Sequence, residues 1–202
     1  MKHALLLSAA AVAALSLAAC NKPATAPDTN TTSVGAAIDK TQDATGAAVG
    51  ATSAATLGSH DTPAFVSNAS QSDMYEIQAA AIAQKRSKSA AIKAFAKMMA
   101  ADHAATSKAM GPLATAAGQT PADKLDERRK GFIDNLNTAN DADFDKTYVD
   151  QQVAAHQEAL TLMQGYANDG SDAGLKAAAA ATAPKVQMHL DKIKGIQAAM
   201  KK

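Results

Sequence analysis

Residues 89–117 read SAAIKAFAKMMAADHAATSKAMGPLATAA, and their periodicity decides the fold. Ile92, Phe95, Met99, Thr106, Met110 and Leu113 recur every three to four positions, the spacing of a helix with one buried face. Gly118 and Pro121 stop that helix. Asp102 and His103 flank the centre of its apolar stripe. The chain of 202 residues is only 3% aromatic and has no Trp, so its core must be built from Ala, Leu, Ile, Val and Met. Ala and Met favour helices, whereas a β-sandwich would need far more Val, Ile, Tyr and Phe.

The same period marks the flanking segments. One helix is expected over about Ala64 to Lys85, with Phe65, Ala69, Ile77 and Ala80 on one face. A shorter one is expected over about Asp123 to Leu136, another over about Asp143 to Ala167, and a last one over about Ala173 to Met200, bent at Pro184. Four long amphipathic helices with a connection of about two dozen residues between the second and third imply one long crossover. That is the ferritin-like form of the four-helix bundle. The expected fold is therefore all-α, with a short helix inside the crossover and the bundle occupying residues 64–202.

Placing residues at about 100° per position shows which polar groups face inward. Asp73 and Glu76 share the arc of Ala69 and Ala80 on the first helix. His103 falls in the stripe of the second, His156 beside Gln152 on the third, and His189 between Val186 and Ile193 on the fourth. With the ferritin-like direction of the helices, these groups fall within about 6 Å along the bundle axis. Glu76, Asp102, His103, His156 and His189 together can hold a divalent ion such as Zn, Cu, Mn or Fe, with Asp73, Tyr148 and Gln152 around them. The alternative is a buried hydrogen-bond network, in which Asp102 or Glu76 holds a histidine and Tyr148 and Gln152 satisfy the rest. A di-iron carboxylate centre does not fit. It needs Glu-x-x-His pairs, and the only glutamates, Glu76, Glu127 and Glu158, never stand three before a His. The inward methionines Met99, Met110, Met163 and Met200 read as core rather than as copper or haem ligands. No nucleophile elbow, phosphate loop or Cys/His pair is present, so no catalytic residue is assigned.

The amino terminus carries a different signal. Lys2, an apolar run from Ala4 to Leu17 and then Leu17-Ala18-Ala19-Cys20 have the layout of a secretory signal peptide over residues 1–19. The last four residues resemble the lipobox of bacterial lipoproteins, which implies lipidation of Cys20. A transmembrane anchor would need a longer apolar run. Asn21, where Asp would resemble an inner-membrane retention signal, favours the outer membrane. Residues 20–63 are Ala, Thr, Asp, Gly, Ser and Pro with almost no large apolar side chain, the composition of a disordered tether reaching on the order of 35 Å. Within it, residues 34–51 carry at most a marginal helix, since Gly35, Gly46 and Gly50 argue against one. With a net charge of +1 and no basic patch interleaved with aromatics, nucleic acid is excluded as a partner. The membrane, through Cys20, is the one partner implied.

Several pieces carry a family resemblance: Phe65 with Tyr75-Glu76-Ile77, the run from Ile92 through Met98-Met99 to Asp102-His103, Phe144-Asp145-Lys146-Thr147-Tyr148 leading to His156, and Pro184 leading to His189-Leu190. The stretch Phe65 to Lys201 resembles the domain-of-unknown-function 4142 family of bacterial envelope proteins, often labelled outer membrane proteins. The resemblance implies a ferritin-like bundle and an envelope location, and it implies no activity. The expected function is thus an envelope lipoprotein whose bundle holds a His/Asp/Glu cluster able to bind a metal ion. The alternative is a non-catalytic structural or interaction protein in which the cluster is architectural.

Overall fold

A computed structural model describes residues 60–201. The signal peptide, Cys20, most of the tether and the marginal helix over 34–51 lie outside the described residues. Within them are five α-helices and no strand: α1 (Thr62–Arg86), α2 (Ala90–Ala116), α3 (Glu127–Thr138), α4 (Phe144–Asp169) and α5 (Ala173–Ala199). None is long and apolar enough to cross a membrane.

Local chemistry sets the helix ends. The side chains of Ser89, Asp126 and Asp172 each accept from the backbone N–H three residues on, at Ile92, Arg129 and Leu175, which satisfies an orphan donor of α2, α3 and α5 respectively. The cap at Asp126 explains why α3 begins at Glu127, later than the expected Asp123. Pro63 sits in the first turn of α1, where its fixed φ suits a helix, so α1 begins two residues before the expected Ala64. At the end of α2, Gly118 adopts φ 71°, and Gln119 and Gly118 donate back to Ala114 O and Thr115 O, closing a Schellman turn. Both α2 and α5 run on through a proline, Pro112 and Pro184.

The long helices pair as two antiparallel hairpins, α1 with α2 and α4 with α5, packed face to face so that α1 neighbours α4 and α2 neighbours α5. Bonds at the two ends fix the directions. Thr62, opening α1, meets the Tyr166 hydroxyl near the end of α4 at 2.7 Å, whereas Arg86, closing α1, donates to the carbonyls of Leu136, Asn137 and Ala139 just before α4 begins. Thus α2 and α4 run the same way, as the long crossover requires. The chain has three arginines, and all three fasten that crossover. Arg86 binds its carboxyl end and lies 4.6 Å over the Phe144 ring, while Arg128 and Arg129 in the first turn of α3 clasp buried Glu158 of α4.

The apolar core comes in two blocks. One gathers Tyr75, Ile92, Phe95, Met99, Leu136, Phe144 and Ile193, and the other Phe65, Val66, Met110, Leu162, Tyr166 and Leu175. On every long helix the buried polar residues fall between the blocks: Asp73 and Glu76, His103, Gln152 and His156, and His189. Not every expected core member is buried, and Ile77 and Leu113 are only half-buried. Met200, at the end of α5, is 45% exposed, and Thr106 is half-buried with its hydroxyl bonded to Asp102 O.

Because Arg86 satisfies three crossover carbonyls at once, Arg86→Ala is expected to destabilise the protein by on the order of 3 kcal/mol. Arg86→Lys should recover less than half of this, since an ammonium cannot reproduce the guanidinium fork. Urea unfolding midpoints would check both. A silent Arg86→Ala would refute the role.

Candidate metal centre

Each histidine enters the core from its own helix and is held by its outer nitrogen. His103 Nδ1 lies 2.7 Å from Asp73 Oδ1 of α1, and the Ser107 hydroxyl donates to the other oxygen of Asp73 at 2.9 Å. His156 Nδ1 lies 2.8 Å from the backbone carbonyl of Gln152, one turn earlier on α4. His189 Nε2 lies 2.9 Å from Asp102 Oδ2, whose other oxygen is 3.8 Å from Lys185 Nζ. A carbonyl or ionised carboxylate can only accept, so each outer nitrogen carries the proton. The opposite nitrogens, Nε2 of His103, Nε2 of His156 and Nδ1 of His189, are buried without a partner.

The rings stand close together, with centroids 5.5, 5.7 and 5.9 Å apart. One nitrogen from each falls within 4.8 Å of the others. Three points no more than 4.8 Å apart fit a circle of radius 4.8/√3, or about 2.8 Å. A Zn–N bond is about 2.0–2.1 Å, so closure on an ion asks each ring to move by no more than about 0.7 Å. That is within side-chain reach.

The surroundings tune the rings unequally. Burial and the charge of His103 push His156 down to about 3, against the weaker upward pull of the Gln152 carbonyl. Burial likewise lowers His189, more than Asp102 raises it. His103 goes the other way: burial opposes its charge, but the bond to Asp73 and the carboxylates of Glu76, Asp73 and Asp102 together outweigh burial and leave it raised. Glu76 is pushed up to about 7, chiefly by burial.

The other residues proposed from the sequence take distinct places. Asp73 supports His103 from outside. Asp102 also lies outside the trio: its side chain is 28% exposed and faces the rim of α2 and α5, because neighbours on a helix point about 100° apart and His103 already takes the inward direction. Glu76 Oε1 is 3.8 Å from the outer nitrogen of His156, beside the trio rather than among its inner nitrogens, and Oε2 has no partner. Tyr148 and Gln152 are fully buried, yet neither the hydroxyl nor the side-chain amide closes a bond with a histidine. The closed network in which those two satisfy the rings is therefore not formed.

Among the described residues, eight buried side-chain atoms lack a partner, and seven belong to Glu76, the trio, Tyr148 and Gln152. The buried atoms without a protein partner are thus concentrated in this one layer.

Some supports were not legible beforehand. The Gln152 carbonyl carries no sequence signal. Ser107 had one, since it stands one turn after His103 on the face turned toward α1. Arg128 and Arg129, which hold Glu158, lie in a run, DERRK, that reads as a solvated face.

A raised acid contributes stability below its unfolded value, 4.5 for Glu76, and loses it as pH rises through about 7. Glu76→Gln is therefore expected to stabilise metal-free protein by about 3 kcal/mol at pH 8.5 and hardly at all at pH 4.5. Chemical denaturation in EDTA would measure both values, and an equal gap at both pH values would contradict the assignment. His156, being depressed, contributes stability above 6.5 that is lost as pH falls toward 3.

Among solved structures, the fold is similar to a crystal structure of a DUF305 fragment from Deinococcus radiodurans. The TM-score is 0.59 at 13% identity, covering 67% of this chain and 93% of that one. At that identity the likeness shows the fold alone. No curated protein matches the sequence significantly. The profile of the family described as Domain of unknown function (DUF4142) matches residues 44–196, from within the segment read as tether through most of α5, so the chain belongs to the DUF4142 family.

Proposed function

We propose that the bundle is a metal-binding module, carried at the bacterial cell envelope by a lipid on Cys20. One observation carries the metal reading. All three imidazoles are clamped by their outer nitrogens, their other nitrogens are buried without partners, and the trio brings one nitrogen from each ring within 4.8 Å of the others. Histidine ligands are oriented in this manner, the outer N–H fixed by a carboxylate or carbonyl so that the other lone pair is aimed at the ion. Three neutral nitrogen donors with no thiolate suit Zn or Cu better than Mn, which prefers oxygen. Fewer than four protein donors leave coordination positions to water or a small ligand. The carboxylates of Asp73 and Asp102, one residue from the ligands, would balance a divalent charge. The purely architectural alternative would need the inner nitrogens satisfied within the protein, and Tyr148 and Gln152 do not reach them.

Chelator-stripped protein is expected to take up about one equivalent of Zn or Cu(II), with a melting shift equivalent to ~2.7 kcal/mol at a hundredfold excess over Kd. His156→Ala should abolish the uptake. Since His103 is the ring that favours its proton, affinity should fall about tenfold per pH unit once the pH drops below the His103 value. Full stability with no uptake of any of Zn, Cu or Mn by calorimetry would end this reading.

The envelope reading is supported by Lys2, the apolar run 4–17 and Leu17-Ala18-Ala19-Cys20. Growth with a labelled fatty acid should mark the protein and leave Cys20→Ala unmarked. A label that persists in that variant would exclude anchoring at Cys20.

A further inference from the structure

Outside the histidine trio, the described residues line a cavity of about 220 Å³, partly open to solvent, between α1, α2, the crossover and the start of α5. Its wall is aliphatic and thioether: Val66, Met74, Ile77, Met110 and Leu175. Pro121 and Ala122 of the crossover close one side, held there by Ala122 N–H donating to the Ser70 hydroxyl at 2.9 Å and Asp126 N–H to the Gln71 side chain at 2.8 Å. Gly111 belongs to the wall in mid-helix, and a Cβ there would meet nothing within 4 Å. Glycine in a helix interior is less stable than alanine by roughly 1 kcal/mol, and here no close contact requires it. The missing side chain leaves the space open.

One ionisable group lines this apolar space, the carboxylate of Asp73, with the Ser107 hydroxyl beside it. Each oxygen of Asp73 already holds one bond, to His103 and to Ser107, but a carboxylate has about four acceptor sites. An apolar wall would accept any hydrocarbon. The acid selects among hydrocarbons for one with a cationic, hydrogen-donating head. Engineered cavities of about 150 Å³ admit benzene, so 220 Å³ suits a body of about six carbons.

We propose that this cavity binds a small primary amine, its hydrocarbon body among the methionine and aliphatic walls and its ammonium on Asp73. The site shares Asp73 with the support of His103 but does not depend on a metal. It is tested with the intact chain in EDTA, so failure of metal uptake and failure of amine binding are read separately. The probes are n-hexylamine, n-hexanol and hexanoate, followed through the methyl resonances of Met74, Ile77, Met110 and Leu175. Hexylamine should bind saturably, on the order of tenfold tighter than hexanol, and hexanoate should not bind. Gly111→Leu should remove hexylamine binding while keeping or raising Tm, since the added side chain enters open space. Asp73→Asn should erase the preference for amine over alcohol and keep hexanol binding. No saturable shift, a hexanol affinity equal to that of hexylamine, or unchanged binding in folded Gly111→Leu would overturn the proposal. If Gly111→Leu does not fold, the position of the methyl shifts in the parent decides the matter.

Discussion

An imidazole has two nitrogens, and in an apolar core both must be answered. Burying three of them at one level forces their outer nitrogens onto acceptors, for His103 and His189 a carboxylate on a neighbouring helix and for His156 a carbonyl of its own helix, and the two carboxylates set how the helices sit. Asp73 to His103 ties α1 to α2, Asp102 to His189 ties α2 to α5, and Glu76 stands against His156 between α1 and α4. A slip of one turn in any pair would move a polar group about 5.4 Å into an apolar block and leave its partner buried alone. The layer therefore works as a register, with the two apolar blocks supplying most of the burial on either side.

Those blocks are lean. Few aromatics are present, and much of the surface between helices is alanine, as at Ala79, Ala80, Ala83 and Ala96. Small residues let helices approach closely but each buries little, so the large side chains carry unusual weight. Phe65 stacks on Tyr166 with ring centroids 3.9 Å apart, and the Tyr166 hydroxyl ties the start of α1. Gly170 lets the chain turn against that ring, since a Cβ there would lie 2.5 Å from both Tyr166 Cε1 and its carbonyl oxygen. At the other end Arg86 combines a stack on Phe144 with three carbonyl contacts. Each end of the bundle is thus pinned by one large side chain that packs and bonds at once.

The helices and their order were legible because period 3.6 survives any change of core composition, and the long segment between the second and third helices implied the crossover. The meeting of His103, His156 and His189 was legible for the same reason: position in a stripe gives direction, and 1.5 Å per residue gives level. What the pattern could not resolve was the direction of adjacent residues. The stripe takes in both Asp102 and His103, though only one of two neighbours can point to its centre. Met200 shows the limit at a helix end, where the stripe continues in the sequence after the core has stopped. The carbonyl that holds His156, the arginine clasp on Glu158 and the cavity beside Gly111 depend on which segments meet, and no local spacing encodes that.

The chemistry of the layer follows from counting donors. With their outer nitrogens protonated, the three inner nitrogens are all acceptors, and water can donate to two of them but not to three. A single proton on the trio does better, because a doubly protonated His103 can offer its inner N–H to a neighbouring lone pair. The tuning agrees with this division, His103 being raised by its carboxylates while His156 and His189 are lowered. A cation at the centre would answer all three lone pairs at once and would take the place of that proton. If the proposed ion binds, the layer would exchange one shared proton for one ion, a change of charge that Asp73 and Asp102 are placed to balance from outside the trio.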